Sequence, residues 1–390
     1  MARRGRSPIL LLQATAFVST LDRFAMPPVL VAIAVDLDAP LADVVHAAGI
    51  YFLVYGLSQP VWGAVSDRLG RVATMRVTLL LAAVCTIASA FSGSVAVLGL
   101  TRGLAGGLYG AAYPSLLIYI GDTVAASVRQ REVARLMVGV ATGTALASVG
   151  AGLLADVATW RAAFVVTGVA SLLLAWLLRK LPEPDVLRIP GSPLKPLGLV
   201  LRSRTTMLVL LLAFTEGVVL LGALTLLPPA IENAGATTAV AGAATAVYGV
   251  SVFACARAVG RLSQSWHPWR LIVLGGAAAA VGCALMAVSQ APAMAVAVAA
   301  LLGLAWTAMH SSLQTWATEV LPAARASVVS LFAGSLFVGS ALAALLVAGL
   351  ADAGRYDVIF LTGAVLAVPL GAGAGLARSR WHRPAEPVGS

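Results

Sequence analysis

The chain has 390 residues, of which 60% are hydrophobic and 11% are charged, and its formal net charge is +10. Soluble globular domains carry about 25% charged residues, so this composition excludes a soluble protein and indicates one embedded in lipid. The basic excess alone would fit a nucleic-acid-binding protein, but the positions of the basic residues argue against that class.

Long apolar runs follow one another along the chain, separated by short charged or Gly/Pro-marked segments. A membrane-spanning helix needs about 20 apolar residues, and lipid offers no partner to an open backbone, so these runs are predicted to be helices. A transmembrane β-barrel is excluded, because its strands alternate in hydrophobicity over about 10 residues. The twelve predicted spans are 8–34, 46–64, 75–91, 95–117, 136–154, 160–178, 206–231, 240–256, 271–288, 293–317, 326–348 and 356–376.

The basic residues lie mostly on one side of these spans. Twenty-two of the 26 Lys and Arg residues fall in segments on the side of the N-terminus, and the opposite side holds Arg161 and Arg355. The last two, Arg23 and Arg102, lie within spans. The positive-inside rule therefore predicts cytoplasmic termini in a cell (plasma) membrane, and we expect no nucleic-acid partner.

The longest polar stretch divides the spans into six and six. It is rich in Pro and basic residues and is predicted to be a cytoplasmic linker. We expect a six-helix bundle over residues 1–178, the linker over 179–205, a second bundle over 206–376 and a cytoplasmic tail over 377–390.

The two halves repeat short sequences in the same order. The pairs are PP from Pro27 and Pro228, YGLS from Tyr55 and YGVS from Tyr248, YPSL from Tyr113 and HSSL from His310, and LAD from Leu154 and Leu350. The last three pairs are separated by 193 to 197 residues, which indicates duplication of a six-helix unit. Such repeats are typical of secondary transporters, whose substrate site lies between the repeats near the bilayer midplane.

The loop between spans 2 and 3 reads GAVSDRLGRVATMR from Gly63. We expect its glycines to allow close packing and a tight turn, and its aspartate to pair with Arg71 or Arg76 or to cap a helix. The loop resembles the signature G-x-x-x-D-R-x-G-R of the major facilitator superfamily. The matching positions are Gly63, Asp67, Arg68, Gly70 and Arg71.

This resemblance implies an all-α membrane protein with twelve helices in two pseudo-symmetric bundles, and a monomer. It also implies that the loop gates the cytoplasmic side without touching substrate. Helix 1 (LDRFAMPPVLVAIAVDL) and the Gly-rich segment of helix 5 (GTALASVGAG) resemble drug:proton antiporters, although Ala147-Ser148 replaces the usual Gly-Pro pair. The segment RGLAGGLYGAAYP of helix 4 is also similar to the family pattern.

The ionisable groups deep in the spans fall on helices 1, 4, 7 and 10, which line the central cavity in this superfamily. They are Asp22, Arg23, Arg102, Glu216 and His310. A charge within lipid is costly unless it is paired or faces water, so each is a candidate functional residue. Asp22, Glu216 and Arg102 are the candidates for proton coupling.

The candidates for substrate binding share the expected cavity faces of these helices. They are Arg23, Tyr109, Tyr113, Trp306, His310 and Gln314. Structural roles remain as alternatives: Asp22 can pair permanently with Arg102, Arg23 can pair with Glu216, His310 can be hydrogen-bonded, and the aromatic side chains can fill the bundle. The two Pro-Pro pairs are expected to break the outer ends of helices 1 and 7.

The leading functional prediction is proton-driven export of amphiphilic small molecules or drugs by alternating access. The alternative is a proton-coupled symporter that imports a small organic anion, because the Asp-Arg pair of helix 1 resembles such symporters and Arg23 and Arg102 suit an anion. The chain has no P-loop for ATP and none of the H-E-x-x-H or G-x-S-x-G motifs of an enzyme. We expect no cofactor and no metal; the three cysteines lack ligand or disulfide spacing.

Overall fold

The computed structural model describes residues 8–184 and 194–382. Residues 1–7, the middle of the predicted linker and the end of the predicted tail lie outside these ranges. The description also leaves out the side chains of residues 64, 67, 126, 127, 130 and 194–196.

Twelve helical spans in the described ranges are long and apolar enough to cross a membrane, which confirms the predicted number and the all-α fold. We label them α1 to α12 in chain order: Pro8–Asp36, Leu41–Gly63, Arg71–Ala90, Val95–Thr123, Arg131–Val157, Trp160–Lys180, Arg204–Asn233, Thr238–Ser265, Pro268–Val288, Pro292–Glu319, Pro322–Asp352 and Tyr356–Arg380.

Several helices extend past the predicted spans. The helix that contains α2 covers Leu41–Leu69, and the one that contains α5 covers Ala126–Val157. Their added turns carry charged residues such as Asp43 and Glu132, which a hydropathy argument places outside the span. The backbone continues as a helix because the hydrogen-bond ladder does not depend on hydropathy.

Four spans are irregular near their middle, and they are α1, α4, α7 and α10. A short 3₁₀ turn, Pro27–Val29, interrupts α1, and α4 divides into Val95–Tyr109 and Ala112–Thr123. Segments of π-helix lie in α7 at Gly217–Leu221 and in α10 at Trp306–His310. Interrupted helices of this kind form the binding sites of many transporters.

The second Pro-Pro pair does not break its helix, contrary to the prediction. Helix Gly222–Asn233 continues through Pro228 and Pro229, and the irregular segment of α7 ends before them. Local π-helical adjustment and close packing against neighbouring helices allow a membrane helix to tolerate proline.

The first six spans and the last six contact each other through α2 with α11, α5 with α8, and α1 with α7. Glycines bring the helices together in the first two pairs. A Cβ atom added at Gly56 would lie 2.7 Å from the Gly334 carbonyl oxygen, and one added at Gly249 would lie 2.9 Å from that of Ala141. Gly56 and Gly249 belong to the repeated YGLS and YGVS, so the repeat marks equivalent interfaces.

The predicted linker contains a short helix, Leu194–Arg202, which sequence analysis did not identify. It packs against α7 and against the start of α11. We call the end of the bundle that holds the α2–α3 connection and this helix the proximal end. The distal end is the opposite one, where α1, α5, α7 and α11 finish and α2 and α8 begin.

Candidate functional site

Asp22 and Arg102 form a fully buried ion pair between α1 and α4. Arg102 Nη2 lies 2.9 Å from Asp22 Oδ2, Arg102 Nη1 lies 3.0 Å from Oδ1, and neither side chain is exposed. Arg102 also donates to the Asp22 carbonyl oxygen at 3.2 Å, next to the interruption of α1. The two-point geometry is the strongest form of an Arg–carboxylate contact.

Side chains of three further helices surround this pair. Thr86 of α3 donates its hydroxyl to Asp22 Oδ1 at 3.0 Å. The Arg102 guanidinium lies over the rings of Tyr51 in α2 and Phe164 in α6, at 4.5 and 4.8 Å from their centroids. Both carboxylate oxygens are therefore satisfied, and the pair connects helices of the first half.

A second buried acid–base pair joins α7 and α10. His310 Nδ1 lies 3.2 Å from Glu216 Oε2, and the Glu216 side chain is fully buried. The other carboxylate oxygen, Oε1, is buried without a hydrogen-bond partner in the described part of the chain. Both residues border π-helical segments: Glu216 precedes Gly217–Leu221, and His310 ends Trp306–His310.

Aromatic rings cover the imidazole. Trp306 stacks on His310 with 3.8 Å between ring centroids, and Phe332 of α11 lies 5.7 Å away. Tyr248 of α8 contacts the Trp306 ring edge-on. Trp306 and His310 are the first and last residues of the π-helical segment, four positions apart.

The structure pairs Glu216 with His310 and not with Arg23, which was the alternative suggested by sequence. Asp22 and Glu216 occupy equivalent positions, 194 residues apart, in the first helix of each half. Because Asp22 meets a base on α4, the repeat itself points to a base on α10 for Glu216. The separation of 194 residues could be read from the sequence, but the Asp22–Arg102 pair comes from the structure, and Arg102 and His310 are 208 residues apart and do not match the repeat.

Arg23 lies where the two halves meet. Its guanidinium is over the rings of Tyr55 in α2 and Phe337 in α11, at 4.7 and 5.1 Å from their centroids. The side chain is half-buried, and its Nε atom has no hydrogen-bond partner among the described residues. No described carboxylate lies within salt-bridge distance of it, so aromatic faces are its main neighbours.

The remaining predicted substrate residues do not share one surface. Tyr109 is 1% exposed and its hydroxyl lies 2.6 Å from Ser171 Oγ in α6, so it faces the interior of the first half. Tyr113 is half-buried with its hydroxyl 3.8 Å from the Met137 sulfur of α5. The interruption of α4 lies between these two tyrosines. In an uninterrupted α-helix, residues four positions apart would share one face. Gln314 is half-buried on α10.

The predicted gating loop is partly described. Gly70 adopts φ +102° between the helices, as the predicted tight turn requires, and Arg68 is exposed. Arg71 pairs with Asp122 at the end of α4 at 3.2 Å. The close packing expected at Gly63 is not seen, since a Cβ atom there would meet nothing within 4 Å among the described residues, and its gating role stays a prediction. The Asp67 side chain lies outside the described residues.

Sequence analysis missed Glu183, which caps the first turn of α3. Its carboxylate accepts backbone N–H groups of Val72 and Ala73 at 3.0 Å each and also that of Arg71. The carboxylate also occupies the space next to Gly70 that a side chain would fill. Residue 183 follows α6, so only the tertiary structure brings it to this helix end.

No group of three or more His, Cys, Asp or Glu residues in the described ranges is arranged to hold a metal ion.

The sequence profile of the Major Facilitator Superfamily matches residues 14–344. Comparison with curated protein sequences gives no significant match. Several solved structures are similar, and we describe three of them. The peptide transporter POT has 16% identity and a TM-score of 0.80 over 97% of this chain and 96% of its own.

The nucleoside transporter NupG has 14% identity and a TM-score of 0.79, over 95% of this chain and all of its own. The xylose transporter XylE from E. coli, in a partially occluded inward-open conformation, has 16% identity and a TM-score of 0.73. That match covers 92% of this chain and 95% of XylE. At these identities the similarity shows the fold, and the three proteins differ in the substrates they are named for.

Proposed function

The chain belongs to the Major Facilitator Superfamily, a family of transporters and not of enzymes, and from this premise we propose a proton-coupled secondary transporter of small molecules. It works by alternating access in a cell membrane, with both termini cytoplasmic. The proton is carried by the Glu216–His310 pair, and the leading substrate class is amphiphilic small molecules or drugs, exported in exchange for protons.

One observation supports the proposed proton coupling. The fully buried Glu216 carboxylate has the His310 imidazole as its partner, and its second oxygen has no hydrogen-bond partner among the described residues. An imidazole beside a carboxylate can accept a proton and release it again. With both groups deprotonated the pair carries one negative charge, and with one added proton it is neutral. Burying a net charge is costly, so the deprotonated pair favours an arrangement that admits water.

Asp22 is a weaker candidate for the same role, although the sequence places it at the equivalent position. Arg102 and Thr86 satisfy both of its oxygens, and the pair is already neutral. A proton on Asp22 would leave Arg102 as an uncompensated buried charge. We therefore assign Asp22 and Arg102 to holding the first half together, and proton binding to the second half.

The direction of transport rests on the Gly-rich segment of α5, which resembles that of antiporters. This segment lies at the interface with α8, where a Cβ atom at Gly152 would lie 2.6 Å from the Thr238 carbonyl oxygen. Close packing of this interface supports closure of the two halves at that end. The resemblance to antiporters, and not this packing, makes export by proton exchange the first candidate.

A second candidate, import of a small organic anion with a proton, is favoured by Arg23. This guanidinium lies between the halves, lacks a described carboxylate partner and has an unpartnered Nε. A substrate carboxylate or phosphate would supply both the missing charge and a hydrogen-bond acceptor.

The sign of the proton flux separates the two candidates. The purified protein is placed in liposomes with a pH dye inside, and organic cations and anions are added outside one at a time. Alkalinisation of the lumen on adding a compound means antiport and supports export, whereas acidification means symport and supports anion import. A substrate that moves without any pH change would overturn proton coupling.

The Glu216→Gln variant is expected to lose proton flux at least about tenfold while retaining exchange of labelled substrate across the membrane, because the amide cannot carry a proton. The matched control is Asp357→Asn, an exposed carboxylate at the start of α12. Wild-type proton coupling in Glu216→Gln would remove this residue as the carrier.

The Arg23→Gln variant tests the second candidate. If Arg23 contacts an anionic substrate group, affinity for that substrate falls by about 10- to 100-fold, the effect of losing a charge-assisted hydrogen bond. Neutral and cationic compounds should bind as in the wild type. Equal affinity of the wild type and the variant for every transported anion would contradict this role.

A further inference from the structure

The repeated tripeptide LAD has no part in the function proposed above. In the structure its two aspartates lie at the same place in each half. Asp156 is in the last turn of α5, and Asp352 is the last residue of α11. Both are therefore at the distal end of the bundle.

Each aspartate reaches the beginning of a helix in the other half. Asp156 Oδ2 accepts the backbone N–H of Ala239 at 3.0 Å, and Asp352 Oδ1 accepts that of Ala42 at 3.4 Å. Ala239 is the second residue of α8 and Ala42 is the second residue of α2. The two aspartates are 196 residues apart and the two alanines 197, so the contacts are equivalent under the repeat.

The chemistry at each helix start suits a carboxylate. The first N–H groups of a helix have no partner within it, and they form its positive end. At α8 the Thr237 hydroxyl accepts the backbone N–H of Val240. The backbone N–H of Ala239 donates to Asp156 instead. At α2 the preceding residue is Pro40, which makes no side-chain capping bond, and Asp352 supplies an acceptor.

Both contacts lie at the distal limits of the small-residue interfaces. About two helical turns before Asp156, a Cβ atom at Gly242 would lie 2.4 Å from the Ser148 carbonyl oxygen. About two helical turns before Asp352, one at Gly49 would lie 3.3 Å from the Ala344 Cβ. Gly49 and Gly242 are 193 residues apart and are again equivalent. The helices cannot separate at this end without breaking the aspartate contacts.

We propose that Asp156 and Asp352 are a symmetric pair of latches that hold the distal end closed and release when that end opens. The proposal rests on alternating access, and it is independent of which residue carries the proton and of the direction of transport. Each latch lowers the free energy of the closed arrangement only, because the charge meets the helix end only when the halves are together.

The test measures the distance between the halves at the distal end by spin-label spectroscopy. The labels are attached at Phe91→Cys and Val288→Cys, both highly exposed and one in each half. Cys85, Cys255 and Cys283 are first replaced by alanine. The variants are Asp156→Ala, Asp352→Ala and the double replacement, with Asp357→Ala as an exposed acid near the same end.

The double variant is expected to raise the ratio of long to short distances about tenfold over the control, with each single variant in between. Asp→Asn variants keep an oxygen acceptor but lose the charge, so they should raise the ratio of long to short distances by a smaller factor. They replace the alanine variants if an alanine variant does not fold. A distance distribution in the double variant equal to that of Asp357→Ala would overturn the proposal. Because this readout needs neither substrate nor proton flux, failure of the proposed proton coupling or of the proposed direction would leave its result unchanged.

Discussion

Alanine at Asp22 or at Arg102 is expected to destabilise the protein by about 3–5 kcal/mol, enough to abolish most correctly folded protein. Each single replacement removes one partner of a pair in which neither side chain is exposed. The remaining charge has nearby aromatic rings and a threonine hydroxyl, but no described opposite charge to neutralise it.

The double variant Asp22→Leu with Arg102→Met separates the charge effect from the loss of volume. Replacing a complete buried ion pair by apolar groups of similar size is often neutral, so we expect this variant to be more stable than either single one. The stabilities of the wild type, the two single variants and the double variant are ranked by thermal melting in detergent and by the recovery of monodisperse protein in gel filtration. If the single variants are as stable as the wild type, the pair does not hold the first half together.

The Gly339→Ala variant is expected to lose about 1–3 kcal/mol through overpacking between α11 and α7. A Cβ atom at Gly339 would lie 2.0 Å from the Phe214 carbonyl oxygen. The approach is reciprocal, since a Cβ atom at Gly217 of α7 would lie 1.8 Å from the Leu336 carbonyl oxygen. A backbone carbonyl cannot rotate away as a side chain can, so the whole helix must move.

Gly349→Ala is the matched control for this prediction. Gly349 lies on the same helix, and a Cβ atom there would meet nothing within 4 Å. Alanine favours a helix by about 0.5–1 kcal/mol over glycine, so this variant should melt at the wild-type temperature or slightly above it. Equal melting temperatures for Gly339→Ala and Gly349→Ala would show that the close contact tolerates a methyl group.

The proposed variants should affect transport in different ways. Gly339 adjoins the π-helical segment that follows Glu216, so in Gly339→Ala we expect the proposed proton coupling to fall together with the stability. The variants at Asp156 and Asp352 are at the distal end and not at the Glu216–His310 pair, so they should shift the distance between the halves and leave the proposed proton binding intact. Gly339→Ala therefore reports on packing and coupling together, Glu216→Gln on coupling, and the Asp156 and Asp352 variants on opening of the distal end.

The sequence predicted the parts of this protein that depend on local composition. Twelve spans follow from hydropathy, and the family from the loop around Gly70 and Arg71, because each signal is contained in a short stretch. The placement of Asp22, Glu216, Arg102 and His310 on helices 1, 4, 7 and 10 was also visible, since ionisable residues are rare in apolar runs.

Only the tertiary structure decided which groups meet. Helical spacing placed Tyr109 and Tyr113 on one face, but the interruption of α4 turned them toward different helices. The partner of Glu216, the cap that Glu183 provides for α3 and the aspartates that reach Ala42 and Ala239 all join residues distant in the chain. Such contacts depend on the rotation, shift and irregular turns of whole helices, and these are set by packing between helices, which a single sequence does not specify.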